Sequence, residues 1–141
     1  MSKIKSFFDL DVWKKAHAFV LKLYKKTNNF PKEERYGITN QLRRSAVSIT
    51  TNICEGTGRY TTKELLYFLN VSRGSLEETK YLVLLVKDLE FIETQTYDEL
   101  KIELDEIGKM LNGLINSLRS NIVNDPELPY GNVDFPNITN H

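Results

Sequence analysis

The sequence predicts an all-α protein: an antiparallel up-down-up-down four-helix bundle with an extended acidic C-terminal tail. Three observations carry this. Four long stretches repeat apolar residues at three- and four-residue steps, the period of a helix that buries one face. The segments between them are short, which makes consecutive helices neighbours of opposite direction. Beyond Asn121 the periodicity stops among prolines. At 141 residues the chain suits one domain, able to bury roughly two-thirds of the surface its unfolded form exposes without a metal or disulfide staple. We read residues 1–120 as the bundle and 121–141 as the tail.

The first helix is expected from about Leu10 to Asn28. At 100° per residue, Lys14, Lys15, Lys22, Lys25 and Lys26 share about 120° of its circumference with Ala18, while Val12, Trp13, Ala16, Phe19, Val20, Leu21, Leu23 and Tyr24 cover roughly 200°. A helix in a monomeric bundle needs an apolar stripe little wider than about 100°. The surplus at Trp13, Leu21 and Tyr24 therefore points to a second contact surface, on another subunit. Phe7 and Phe8 join them as candidate interface residues, covering either the chain's own bundle or a neighbour's.

Pro31 followed by Lys-Glu-Glu starts a short helical turn, which Gly37 interrupts. The second helix is expected over Thr39 to Glu55, with Ile38, Leu42, Ser45, Ala46, Ile49 and Ile53 on one side. A polar stripe runs beside them: Gln41, Arg44, Ser48, Thr51 or Asn52, and Glu55 recur at three- and four-residue steps. Gly56 and Gly58 are expected to close this helix by supplying backbone conformations that other residues resist. Thr61-x-x-Glu64 forms a capping box for a third helix from Thr62 to about Leu89, whose seam reads Leu65, Phe68, Ser72, Ser75, Thr79, Leu82, Val86 and Leu89. Its small, hydroxylated middle faces a second helix of the same kind. We therefore expect a close approach with hydroxyls paired across it, and an interhelical polar network of Gln41, Ser48, Asn52, Glu55, Ser72, Ser75 and Glu78, to which Arg44 also contributes. Thr96-x-x-Glu99 caps the fourth helix, with Leu100, Leu104, Ile107, Leu111, Leu114 and Leu118 as its seam. Pro126, Pro129 and Pro136, with no lysine or arginine among them, mark the acidic tail as extended or disordered.

Formal net charge is zero, yet residues 1–60 carry twelve Lys or Arg against five Asp or Glu, while residues 61–141 carry seven against fourteen. Such polarity suits either a nucleic-acid surface at one end or helices and subunits that attract one another. The five lysines of the first helix, with Arg43, Arg44 and Arg59, are the candidate nucleic-acid-binding residues. Contact of this kind would be made to phosphates and would be salt-dependent. The rival reading is a protein scaffold, in which the same lysines pair with the acidic fourth helix or the tail of a neighbour.

Catalysis and cofactors are not expected. A di-iron bundle needs Glu-x-x-His on two helices, and the only histidines are His17 and His141. Cys54 is the single cysteine, so neither a disulfide within the chain nor a cysteine-based zinc cluster can form. Gly56-Thr-Gly58-Arg59 completes no phosphate-loop motif. Glu55, Glu77 and Glu78 lack a complementary nucleophile or histidine. No segment approaches the roughly 20 apolar residues of a membrane span, and the N-terminus has no signal-peptide pattern; a cytoplasmic location is expected.

Several segments together carry a family resemblance: Phe8-Asp-Leu-Asp-Val-Trp-Lys-Lys-Ala16, Phe30-Pro-Lys-Glu-Glu-Arg-Tyr-Gly37, Gln41-Leu-Arg-Arg-Ser-Ala-Val-Ser48, Asn52-Ile-Cys-Glu-Gly56, Arg59 and Gly74-Ser-Leu-Glu77. Over about residues 7–120 the chain resembles the four-helix bundle proteins encoded in 23S ribosomal RNA intervening sequences, the S23 family. The resemblance implies a small bacterial bundle assembled as a ring-like homopentamer. One branch of similar proteins serves diversity-generating retroelements and binds nucleic acid and a reverse transcriptase. The implied partners are thus further copies of the chain, RNA or DNA, and a protein such as a reverse transcriptase. The resemblance implies no catalytic residue.

Overall fold

The computed structural model describes residues 4–124, with side chains to residue 121. Among the described residues every regular element is helical: α1 (Asp11–Thr27), α2 (Ile38–Thr57), α3 (Thr62–Asp88) and α4 (Thr94–Asn124), with 3₁₀ turns at Phe7–Asp9 and Lys32–Glu34. The chain is an all-α four-helix protein. Each helix packs on two others, α1 and α3 both lying against α2 and α4, so α1 and α3 occupy opposite corners.

Side-chain partners set the direction of each helix pair. Along α2, Ser45, Ser48 and Ile49 meet Thr79, Ser75 and Ser72, descending one helix while ascending the other. The same order relates α3 to α4, where Arg73 reaches Asn112 and Lys80 reaches Asp105. It also relates α1 to α4, where Lys15 pairs with Glu106 and Lys22 with Glu103.

The predicted seam of α4 is buried throughout, and Met110 and Ile115 join it. On α3 a second stripe, Leu66, Leu69, Leu76 and Val83, is buried as well, because a helix touching two neighbours needs a wider apolar arc than one heptad seam supplies. Leu89 departs from prediction: it is 47% exposed because α3 ends one residue earlier. There Glu90 takes φ 65°, with Glu90 N–H donating to Lys87 O and Phe91 N–H to Val86 O, both at 2.9 Å. This is the paired closure of a left-handed helix cap, here made without glycine.

Three other boundaries are corrected. α2 runs to Thr57, past Glu55, and no glycine among the described residues has positive φ. Gly56 is inside the helix for a different reason: a Cβ there would lie 2.8 Å from Leu65 Cδ1 and 3.2 Å from Phe68 Cβ. α4 begins at Thr94, so Thr96 sits within the first turn and is not its cap. α4 also continues to Asn124 instead of stopping at Asn121; the rest of the predicted tail lies outside the described residues. At α3 the capping box is half formed: Thr61 Oγ1 accepts from Glu64 N–H but donates to that residue's own carboxylate, 3.0 Å away. A box that the sequence did not disclose, Ser6 with Asp9, closes the first 3₁₀ turn.

Candidate nucleic-acid interface

The structure divides the eight basic candidates into different environments. Lys15 pairs with Glu106 and Lys22 with Glu103, the latter at 3.0 Å, both across the α1–α4 seam. Lys14 lies 3.7 Å from Asp11. Arg59 lies 3.4 Å from Glu55 and stacks on the Phe68 ring. The helix-one lysines therefore do not form one free surface. Periodicity placed them on one side of α1, but that side flanks the most acidic helix, and the nearest carboxylates take Lys15 and Lys22. Lys25 and Lys26 stay exposed at the C-terminal turn of α1, where positive side chains also complement the helix dipole.

Arg43 reaches across from α2 to the same end of α1. Its Nε donates to Thr27 Oγ1 at 2.8 Å, and its Nη2 donates to Tyr24 O and Asn28 Oδ1, each at 3.3 Å, with the guanidinium over the Tyr24 ring. All these acceptors are neutral, so the arginine is fixed in place and keeps its charge. Lys32 and Arg35, on the turn between α1 and α2, are exposed close by. Of the ion pairs among the described residues, none involves Lys25, Lys26, Lys32, Arg35 or Arg43. Lys32 and Arg35 were not among the sequence candidates. The signal was available in the basic pair flanking a proline-anchored turn, but only the fold puts it beside Arg43.

Arg44 faces elsewhere. With Gln41, Ser48 and Glu78 it walls an open cleft of about 430 Å³ between α2 and α3. The expected polar network forms in part. Ser48 and Ser75 are bonded at 2.7 Å, Asn52 Nδ2 donates to Ser48 O and Oγ, and Ser72 Oγ donates to Ile49 O. Ser45 and Thr79, which sequence reasoning left outside it, are its buried centre, 2.9 Å apart. Glu55 is corrected out of it, because it is exposed and turns to Arg59. Gln41 and Glu78 are exposed on the cleft rather than bonded within the seam.

The candidate interface residues Phe7, Phe8 and Trp13 form an aromatic cluster with His17 at the start of the chain's own α1, with Phe7 4.6 Å from Trp13 and His17 stacked on the indole at 4.9 Å. Leu21 and Tyr24 are 55% and 42% exposed. A second exposed apolar stripe, Tyr67, Val71 and Tyr81, runs along the outer side of α3 around Gly74, a position with open space about it. Cys54 is half-buried, and burial pushes its thiol above the usual range, which disfavours the nucleophilic thiolate. Glu77 is 3.3 Å from Lys80, so Glu55, Glu77 and Glu78 have separate surroundings. Among the described residues no helix is long and apolar enough to cross a membrane.

Comparison with known proteins bears on this arrangement. The family model described as 23S rRNA-intervening sequence protein matches residues 8–113, from the first 3₁₀ turn into the second half of α4. The chain belongs to this family. Among solved structures it is similar to a protein of unknown function from the S23 ribosomal protein family of Bacteroides thetaiotaomicron. The two are 26% identical, the match covers 74% of this chain and 97% of that one, and the TM-score is 0.67. No curated protein matches. The matched span includes this chain's whole α1–α2 connection, with Arg43 and the Lys32–Glu34 turn inside it.

Proposed function

We propose that this protein is a non-enzymatic, oligomeric adaptor that holds nucleic acid, alone or in a ribonucleoprotein, by its phosphates at the corner where α1 ends and α2 begins. The observation that carries the reading is the set of bases gathered there, Lys25, Lys26, Lys32, Arg35 and Arg43, none of them in an ion pair among the described residues. Phosphate contact needs cations that no carboxylate already neutralises.

The assembly we propose is a homopentamer, as the family resemblance implies. Exposed apolar surface on α1 (Leu21, Tyr24) and on α3 (Tyr67, Val71, Tyr81) supports it. These helices stand on opposite corners, so one patch of each subunit can meet the other patch of the next. That is the head-to-tail arrangement which closes into rings.

The test is titration of labelled single-stranded and duplex RNA and DNA at low and near-physiological salt, with light scattering on the same sample. Binding that falls steeply with salt, by a particle several times the 16.4 kDa chain mass, is expected. Lys25→Gln with Lys26→Gln should reduce the salt slope on duplex by about 2, at roughly 0.9 per phosphate contact. Lys15→Gln with Lys22→Gln should leave affinity nearly unchanged. No binding at low salt would overturn the reading in favour of a protein scaffold, whose partner could be a reverse transcriptase. The ion pairs already joining α1 to α4 are the observation that favours that second reading.

A further inference from the structure

The open cleft of about 430 Å³ between α2 and α3 is shaped by the hydroxyl pairs that set the register of those helices. Ser45 is bonded to Thr79 and Ser48 to Ser75. Glu78, between Ser75 and Thr79 in sequence, is thereby brought opposite the stretch of α2 that carries Arg44. Gln41 and Arg44, three residues apart, share one face of α2, and Tyr36 and Asn40 line the cleft at the start of that helix.

Arg44 and Glu78 both line this cleft, and neither is in an ion pair among the described residues. A cation and an anion that share a cavity without meeting suit a ligand that offers acceptors to one and donors to the other. The carboxylate disfavours a phosphate here, in contrast to the corner where α1 ends and α2 begins. The side-chain amides of Asn40 and Gln41, which both donate and accept, suit a neutral polar ring as well. Tyr36 supplies a flat face: it is 87% exposed, and its ring contacts no other ring or cation among the described residues. It follows Arg35 directly in the chain, so the ring and the cleft stand beside the basic corner. The volume falls within the roughly 300–1,000 Å³ of sites that hold small organic groups.

Among the bases of nucleic acid, guanine matches this set of groups. Its O6 and N7 accept together from an arginine fork, and its N1–H and N2–H₂ are adjacent donors to the two oxygens of a carboxylate. Cytosine offers a carboxylate its N4–H₂ alone, and adenine pairs with an amide in preference to a guanidinium. In a duplex the N1–H and N2–H₂ of guanine are taken by its partner base, so the guanine has to be unpaired, as bases read by stacking and by their Watson–Crick edges are.

We propose that the α2–α3 cleft receives one unpaired guanine from a single strand whose phosphates lie on the basic corner. Tyr36 stacks on the base, Arg44 donates to O6 and N7, and Glu78 accepts from N1–H and N2–H₂. This rests on the nucleic-acid reading above and adds to it a strandedness and a base.

The experiment is a fluorescence-anisotropy titration at low salt of the full chain with a short thymine-only DNA strand and with the same strand carrying one central guanine, adenine or cytosine. The guanine strand should bind about tenfold more tightly than each of the others, and annealing it to its complement should erase the preference. Glu78→Gln and Arg44→Lys, the second keeping the charge but losing the fork, should bring the guanine strand down to the thymine-only level and leave thymine-only binding within about twofold. Tyr36→Ala should weaken the guanine strand about tenfold through lost stacking. All three side chains are exposed, so the Tm of each variant should be unchanged. Guanosine monophosphate should displace the guanine strand only at far higher concentration; displacement at equal concentration overturns the strand as the source of the base. Equal binding of the four strands, a preference that survives in duplex, or a Glu78→Gln variant that binds every strand more tightly by the same factor overturns the cleft as a base site while the nucleic-acid reading stands. Binding of none of the strands removes the nucleic-acid reading and this inference with it.

Discussion

The two long seams of the bundle are built from opposite chemistries. Between α2 and α3 the middle of the contact is small and hydroxylated, and at the end of α2 the helices approach closely enough that a Cβ on Gly56 would crowd Leu65 and Phe68. Ser45 and Thr79 bond to each other in the buried centre. Between α1 and α4 the visible ties are ion pairs of partly exposed side chains, Lys15 with Glu106 and Lys22 with Glu103, and the second oxygen of Glu103 is buried without a partner among the described residues. Hydroxyl pairs of fixed geometry specify one register, whereas long charged side chains tolerate shifts of the helices they join. The α2–α3 seam is therefore the one whose register hydroxyl geometry fixes.

That contrast can be broken most forcefully at Gly56. Gly56→Leu should destabilise the fold by about 2–3 kcal/mol, the upper part of the overpacking range, read as a lower urea midpoint with unchanged m-value. A loss under about 0.5 kcal/mol would mean the seam is loose. Paired double-mutant cycles sharpen the comparison next. Ser45→Ala with Thr79→Val should show a coupling of about 1 kcal/mol that is indifferent to salt. Lys22→Met with Glu103→Leu should show roughly 0.2–1 kcal/mol that declines as salt is raised. The doubly apolar variant should be as stable as the original or more so, because it also removes the unpaired carboxylate oxygen.

The smallest expected effect concerns acid. Asp105 is held below its ordinary value of 3.8 by its hydrogen bond with Lys101, and by the charges of Lys101 and Lys80. A carboxyl whose folded value is depressed stabilises the fold fully above its ordinary value and loses that contribution as pH falls through the lower, folded one. The Tm difference between the protein and Asp105→Asn should accordingly be constant at neutral pH and shrink below pH 3.8. A difference that persists unchanged into strong acid would assign the effect to packing.

The helices were legible because their signals are local. Periodicity at three and four residues, a threonine cap at Thr61 and a proline at Pro31 act within a turn or two of chain, and the observed bounds of α1, α2 and α3 fall within two residues of those expected. The misplaced start of α4 has the same origin: Thr96 and Glu99 have the spacing of a cap, but Tyr97 N–H already donates to Glu93 O at 3.0 Å, so the helix was under way. The hydroxyl seam was legible too, since small residues recurred at matching depths of two predicted neighbours. Its centre at Ser45 and Thr79 was less so, because burial depends on the rotation of each helix about its axis.

The candidate site was legible only as a list of bases. By itself the sequence determined that the first half is basic, that α1 carries a lysine face, and that a short proline-started turn joins it to α2. The tertiary structure alone decided which of those charges are free. Lys22 meets Glu103 from 81 positions away, and Arg43 is turned onto the end of α1 by neutral acceptors. Thr39 has its hydroxyl buried without a partner among the described residues. Helices form from interactions within a few residues, but neutralisation and burial of a charge or hydroxyl depend on groups distant in sequence, and only packing brings those together.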